Sequence, residues 1–98
     1  MRATYTSLSL HSKVALENTS TKMIPANARR VYARIRNNGS VSMWLGLGEA
    51  AVVGQGFLLE PGEWYEININ TNPFVGSLYG IFDTALASVD VPVEEAIN

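Results

Sequence analysis

An all-β domain, a small antiparallel β-sandwich or jelly-roll-like barrel of about seven strands, is the fold class that the sequence predicts. Three observations predict it. Short runs rich in Val, Ile, Tyr, Phe and Thr recur along the chain, separated by Gly, Pro and Asn pairs. No window of about 11 residues carries apolar side chains at helical spacing. The chain has 98 residues, 47 % of them hydrophobic, which suits one domain with one modest core.

The elements follow in order. Residues 1–12, rich in Ser and Thr, read as an extended N-terminal arm that orders on contact with a partner. Residues 13–98 form the single sandwich domain. Strands are expected near 13–17, 29–36, 41–47, 55–59, 64–69, 76–82 and 87–93.

The 29–36 strand alternates, placing Val31, Ala33 and Ile35 on one face and Arg30, Tyr32, Arg34 and Arg36 on the other. Asn37-Asn38-Gly39 follows. A two-residue turn would pair Ile35 with Ser42 and mix the faces. A three-residue loop with Gly39 in the left-handed region pairs Ile35 with Val41, Ala33 with Met43 and Val31 with Leu45. In that register Tyr32 faces Trp44. The outward face then carries Arg30, Tyr32, Arg34, Arg36 and Trp44, residue types enriched at binding hot spots. These five are the expected protein-interface residues. A plain solvated face, with Tyr32 stacked on Trp44, is the bland alternative.

Residues 45–56 read as a Gly-punctuated, Ala-rich loop. Glu60-Pro61-Gly62-Glu63 is a type II turn signal: Pro presets the first central position and Gly supplies positive φ at the second. It is expected to join 56–59 to 64–69 as a hairpin, with Tyr65, Ile67 and Ile69 on the core face. In the last strand Ala87, Val89, Val91 and Val93 alternate with polar residues. Pro92 lacks an N–H, so this strand is expected at a sheet edge.

Charge is sparse, 16 % of residues against the roughly 25 % of an ordinary domain. It is also split. All seven Lys and Arg lie in positions 1–36, where Glu17 is the one acid, leaving +6 there and −8 in the remainder. A basic face and an acidic face, used to dock, is the functional reading of that split.

Catalytic and metal chemistry find little to stand on. The chain has no Cys, and His11 is its single His. Zinc centres and a fixed Ser-His-Asp triad therefore lack ligands or a base. Glu60, Glu63 and Glu66 are close in sequence, but glycosidase chemistry needs a cleft between two carboxylates. Asp90, Glu94 and Glu95 do not form an EF-hand loop. Gly46-Leu47-Gly48-Glu49-Ala50-Ala51 matches a dinucleotide fingerprint only superficially, since Val52-Val53-Gly54 breaks any following helix. The Arg30, Tyr32, Arg34, Arg36 row could serve a single-stranded nucleic acid, but the net charge of −2 opposes it. No stretch is long and apolar enough for a membrane helix. No enzyme activity, cofactor, metal, nucleic-acid partner or membrane partner is expected.

The order of elements is informative. A basic-apolar strand runs into Ile35-Arg36-Asn37-Asn38-Gly39. An aromatic strand ends in Gly46-Leu47-Gly48. Leu59-Glu60-Pro61-Gly62-Glu63-Trp64-Tyr65-Glu66 follows, then Gly76-Ser77-Leu78-Tyr79-Gly80-Ile81 and the alternating valines up to Glu94. Over residues 29–95 this pattern resembles small β-sandwich structural proteins of tailed bacteriophages, of the capsid-decoration (cement) or fibre type. The resemblance implies a virion part, a homo-oligomer on the outer surface of capsid or tail, made in the host cytoplasm. Its implied partner is the major capsid protein or another virion protein. That group shares no catalytic motif, so no functional residue carries over. A tail or fibre component touching a host glycan, with exposed aromatics such as Trp64 or Trp44 stacking on sugar, and a non-viral carbohydrate-binding or adaptor module, are the alternatives.

Overall fold

Nested pairing organises the chain. In the computed structural model, which describes residues 8–84 and 88–98 and side chains from residue 11 onward, eight strands form. They are β1 (Leu8–Leu16), β2 (Thr21–Ile24), β3 (Arg30–Arg36), β4 (Met43–Leu47), β5 (Phe57–Leu59), β6 (Trp64–Asn68), β7 (Leu78–Phe82) and β8 (Val89–Ile97). No helix occurs among the described residues. β1 pairs with β8, β2 with β7, β3 with β6 and β4 with β5, all antiparallel. This is one long hairpin, closed at residues 48–56 and rolled so that successive rungs fall in opposite sheets. The resulting orders are β1-β8-β3-β6 and β2-β7-β4-β5. That is the eight-stranded jelly-roll arrangement of a β-sandwich.

The core lies between the two sheets. β3 contributes Ala33 and Ile35, β4 Met43 and Leu45, β7 Leu78 and Phe82, and β8 Val91 and Val93; Leu16, Met23, Ile24, Leu59 and Ile67 complete it. The alternation read in β3 is present, with Val31, Ala33 and Ile35 all buried. Each such aliphatic side chain removed from water contributes about 1.5–3 kcal/mol.

Both expected hairpins are instead crossings between sheets. β3 lies in one sheet and β4 in the other, so Ile35 pairs with Tyr65 and Val93, not with Val41. Tyr32 and Trp44 likewise stand on different sheets. The cause is Asn37, which is fully buried. Its side-chain amide donates to the carbonyls of Val41 (2.9 Å) and Leu59 (2.8 Å), and its Oδ1 accepts from the Gly39 N–H at 3.0 Å. Gly39 does not take positive φ. It is needed for space: a Cβ there would lie 2.8 Å from two ring carbons of Phe82.

The Pro-Gly turn has the expected local form, with Gly62 at φ 90° and the Glu63 N–H bonded to the Glu60 carbonyl at 3.0 Å. It carries the chain from β5 in one sheet to β6 in the other. The two crossings run side by side. The Asn37 N–H donates to the Glu63 carbonyl (2.9 Å), and the Gly62 N–H donates to the Asn37 carbonyl (2.7 Å).

Three further expectations change. β1 begins at Leu8, so residues 8–12 belong to the sandwich rather than to an arm; residues 1–7 lie outside the described residues. β2 was not legible as a strand: a bulge between Lys22 and Ile24 buries the consecutive residues Met23 and Ile24, which breaks the two-residue period. β8 is an inner strand, not an edge strand. Pro92 is accommodated because the β3–β8 ladder ends at Ile35–Val93, one residue short of it. Ala87, the expected start of that strand, lies outside the described residues.

Candidate functional site

The outer face of the β1-β8-β3-β6 sheet collects the charged residues. Its central row runs His11, Glu94, Arg34, Glu66 across all four strands, each residue opposite the next. His11 Nδ1 lies 3.0 Å from one Glu94 oxygen, and Arg34 Nη2 lies 3.5 Å from the other. Lys13 pairs with Asp90 at 3.4 Å along the same face. Part of the charge split of the sequence is thus resolved inside one sheet. Basic β1 and β3 alternate with acidic β8 and β6, so the opposite signs neutralise each other across neighbouring strands. On this face separate basic and acidic patches do not form.

Trp64, expected only as an exposed aromatic that would stack on sugar in a tail or fibre component, stands on this face as the first residue of edge strand β6. It pairs with Arg36 across the ladder. The Arg34 guanidinium lies 3.9 Å from its ring centroid and that of Arg36 5.6 Å. Its side chain remains 45 % exposed. The clue in the sequence was its position two residues after the Pro-Gly turn, at the solvent-facing phase opposite Tyr65 and Ile67. Tyr32 occupies the next row; burial is the main cause that raises its phenol above the usual 10.0. Between Trp64 and β1 lies a shallow cavity of about 160 Å³, lined by His11, Ser12, Arg34, Trp64, Pro92 and Glu94.

The five expected interface residues do not share one surface. Tyr32, Arg34 and Arg36 stand on the face just described. Arg30 is only 4 % exposed. A bulge between Arg30 and Tyr32 turns it off the outer face. Its guanidinium donates to Glu95 (2.7 Å) and to the carbonyls of Pro25, Phe74 and Gly76. Arg30 therefore ties one end of the sandwich together and offers no surface to a partner. Trp44 lies on the opposite sheet, half-buried, beside Leu58 and Ile81.

No protein-family model, curated protein or solved structure matches this chain. Function is therefore argued from the surfaces themselves.

The second surface belongs to the β2-β7-β4-β5 sheet. The 48–56 loop folds back over its outer side. Ala51 is buried and its N–H donates to Ser20 Oγ at 2.9 Å, beyond the far edge strand. A Cβ on Gly46 would stand 2.5 Å from the Glu49 carbonyl, so only glycine lets the loop approach there. No helix follows these glycines, and they serve packing. The exposed large hydrophobics among the described residues are Val52, Val53, Phe57, Leu58, Trp64 and Val75. Four of the six fall within residues 52–58, on this loop and on β5. Glu49, Glu60 and Glu63 bracket them along the chain, and no Lys or Arg occurs after position 36. Exposed apolar side chains are thus concentrated on this loop and edge strand, with acidic neighbours in sequence. Leu58, opposite Trp44, faces outward, whereas Phe57, opposite buried Leu45, turns to the sandwich edge against Tyr65, ring centroids 5.1 Å apart.

Acids that looked available for chemistry are committed to structure. Glu63 Oε1 accepts from the Glu60 N–H at 2.7 Å, and the Ser42 hydroxyl donates to Glu60. Among the described residues no group of three or more His, Asp or Glu stands close enough to hold a metal ion.

Proposed function

We propose that this chain is a virion structural protein, a capsid-decoration protein that docks onto the major capsid protein lattice through the strip Val52, Val53, Phe57 and Leu58. The observation that carries the docking surface is that strip. Exposed apolar side chains concentrated in one stretch of chain, with few charges, suit a protein-binding surface. Its acidic neighbours favour a partner whose apolar patch is rimmed by Lys or Arg. The virion context rests on the resemblance of residues 29–95 to small phage β-sandwich proteins. Jelly-roll architecture, common in viral capsid and lectin domains, supports it as a fold-level analogy.

The mechanism is linkage. A protein that binds the assembled shell and not its free subunits stabilises the shell in proportion to its occupancy. No catalytic step is involved. Two sheets, a buried Arg30–Glu95 pair and the Asn37 crossing supply a rigid body for that role.

Mass spectrometry of purified virions tests the reading. A copy number that scales with the capsid lattice is expected. A copy number matching tail symmetry would favour the tail or fibre alternative, and absence from the particle would end the virion reading.

A further inference from the structure

We propose that the cleft between β1 and Trp64 binds one neutral pyranose ring of a glycan. The site lies on the outer face of the β1-β8-β3-β6 sheet, away from the apolar strip, so it goes beyond the docking role and stands independently of it.

Size is the first argument. The cavity holds about 160 Å³, about half the lower end of ordinary ligand pockets. It accommodates a single ring and not a dinucleotide or an extended peptide. Chemistry is the second. Trp64 and Pro92 supply apolar wall, and His11, Arg34 and Glu94 supply polar edge. A sugar presents both C–H faces and hydroxyls that donate and accept. Arg34 donates only and the Glu94 carboxylate accepts only, so together they meet both capacities of a sugar hydroxyl. The Arg34 guanidinium keeps donor capacity at its exposed end: the side chain is 39 % exposed and its Nη2 meets Glu94 only at 3.5 Å. Each Glu94 oxygen meets one cationic or imidazole nitrogen and keeps a lone pair.

Sign is the third argument. Glu94 in the lining opposes an anionic sugar, and Arg34 opposes a cationic one, which leaves a neutral hexose. Preorganisation is the fourth. His11, Glu94 and Arg34 are held in one row by three adjacent strands, and Trp64 is braced by Arg34 at 3.9 Å. Polar groups fixed on strands rather than on loops need little ordering when a ligand arrives.

The test is a nitrogen-15 NMR titration of the full chain with methyl β-D-galactopyranoside and methyl β-D-glucopyranoside, with N-acetylneuraminic acid as the anionic comparator. Saturable shifts confined to the Trp64 indole and to residues around 11–12, 34 and 92–94 are expected, with a Kd near the ~1 mM range typical of weak sites. Trp64→Ala and His11→Trp should each weaken binding about tenfold or more. His11 stands on edge strand β1 with its side chain 73 % exposed, so its bulky replacement covers the cleft without entering the core. Leu58→Asp, which addresses the docking strip, should leave the titration unchanged. The proposal is overturned if neither neutral glycoside produces saturable shifts, if binding survives His11→Trp, or if only the anionic sugar binds.

Discussion

The guanidinium of Arg34 rests 3.9 Å from the ring centroid of Trp64, on a neighbouring strand and one row away. Glu94 sits on the other side of Arg34. The cation is thus held between a carboxylate and an aromatic ring. A double-mutant cycle of Arg34→Gln and Trp64→Ala, read by urea unfolding, should give a coupling of about 0.5–1 kcal/mol, the range of a partly exposed cation–π pair. Additive single effects would show that the stack carries no energy.

Asn37 predicts a larger effect. Replacing it with Ala frees two buried carbonyls and one backbone N–H at the sheet crossing. The expected loss is about 2–4 kcal/mol of unfolding free energy. Asn37→Asp, which keeps the shape but loses both donated bonds, should fall in the same range. A loss below about 0.5 kcal/mol in either variant would mean that the crossing is held by other contacts.

The Arg30–Glu95 pair closes the other end of the sandwich, with the Arg30 side chain fully buried and that of Glu95 12 % exposed. Arg30→Met strands a carboxylate and three carbonyls, and should cost about 3–5 kcal/mol. Adding Glu95→Leu should recover part of that loss, because the unpaired charge is then gone. Denaturant midpoints of the two variants check this; a double variant less stable than Arg30→Met would contradict it.

Tyr32 gives the alkaline prediction. Burial is the largest cause of its raised phenol pKa; Glu66 and Glu94 add to the rise and Arg34 opposes it. The folded chain keeps this proton at a pH where the unfolded chain has released it. The stability it brings is fully present below about pH 10 and is lost as pH rises through the folded value. The difference in unfolding free energy between wild type and Tyr32→Phe should therefore shrink above that pH. Parallel curves would refute the assignment.

Strand content and faces were legible because both depend on local pattern. Val31, Ala33 and Ile35 point inward as their alternation requires, and Gly62 takes the positive φ that a Pro-Gly turn needs. Sheet membership was not legible. Asn37-Asn38-Gly39 and Pro61-Gly62 announce that the chain reverses, but a reversal within one sheet and a crossing to another use the same residues. The distinction rests on long-range bonds, above all those of the buried Asn37 side chain. Arg30 was misplaced for a related reason: one bulge residue moves every position before it to the other face. The apolar strip at 52–58 was overlooked because a Gly-rich loop reads as a connection, and only the fold shows Ala51 pinned to Ser20 with Val52 and Val53 left outside.

Docking is the central claim, and co-sedimentation measures it most directly. On the proposed virion reading, purified protein is mixed with expanded empty heads of the phage which that reading implies, and the bound protein is quantified for wild type, Leu58→Asp and Val53→Asp. Saturable binding of the wild type, with a stoichiometry set by the capsid lattice, and loss of binding by at least about tenfold in both variants is the predicted result. Heads that fail to bind the wild-type chain, or that bind the two variants equally well, would contradict it.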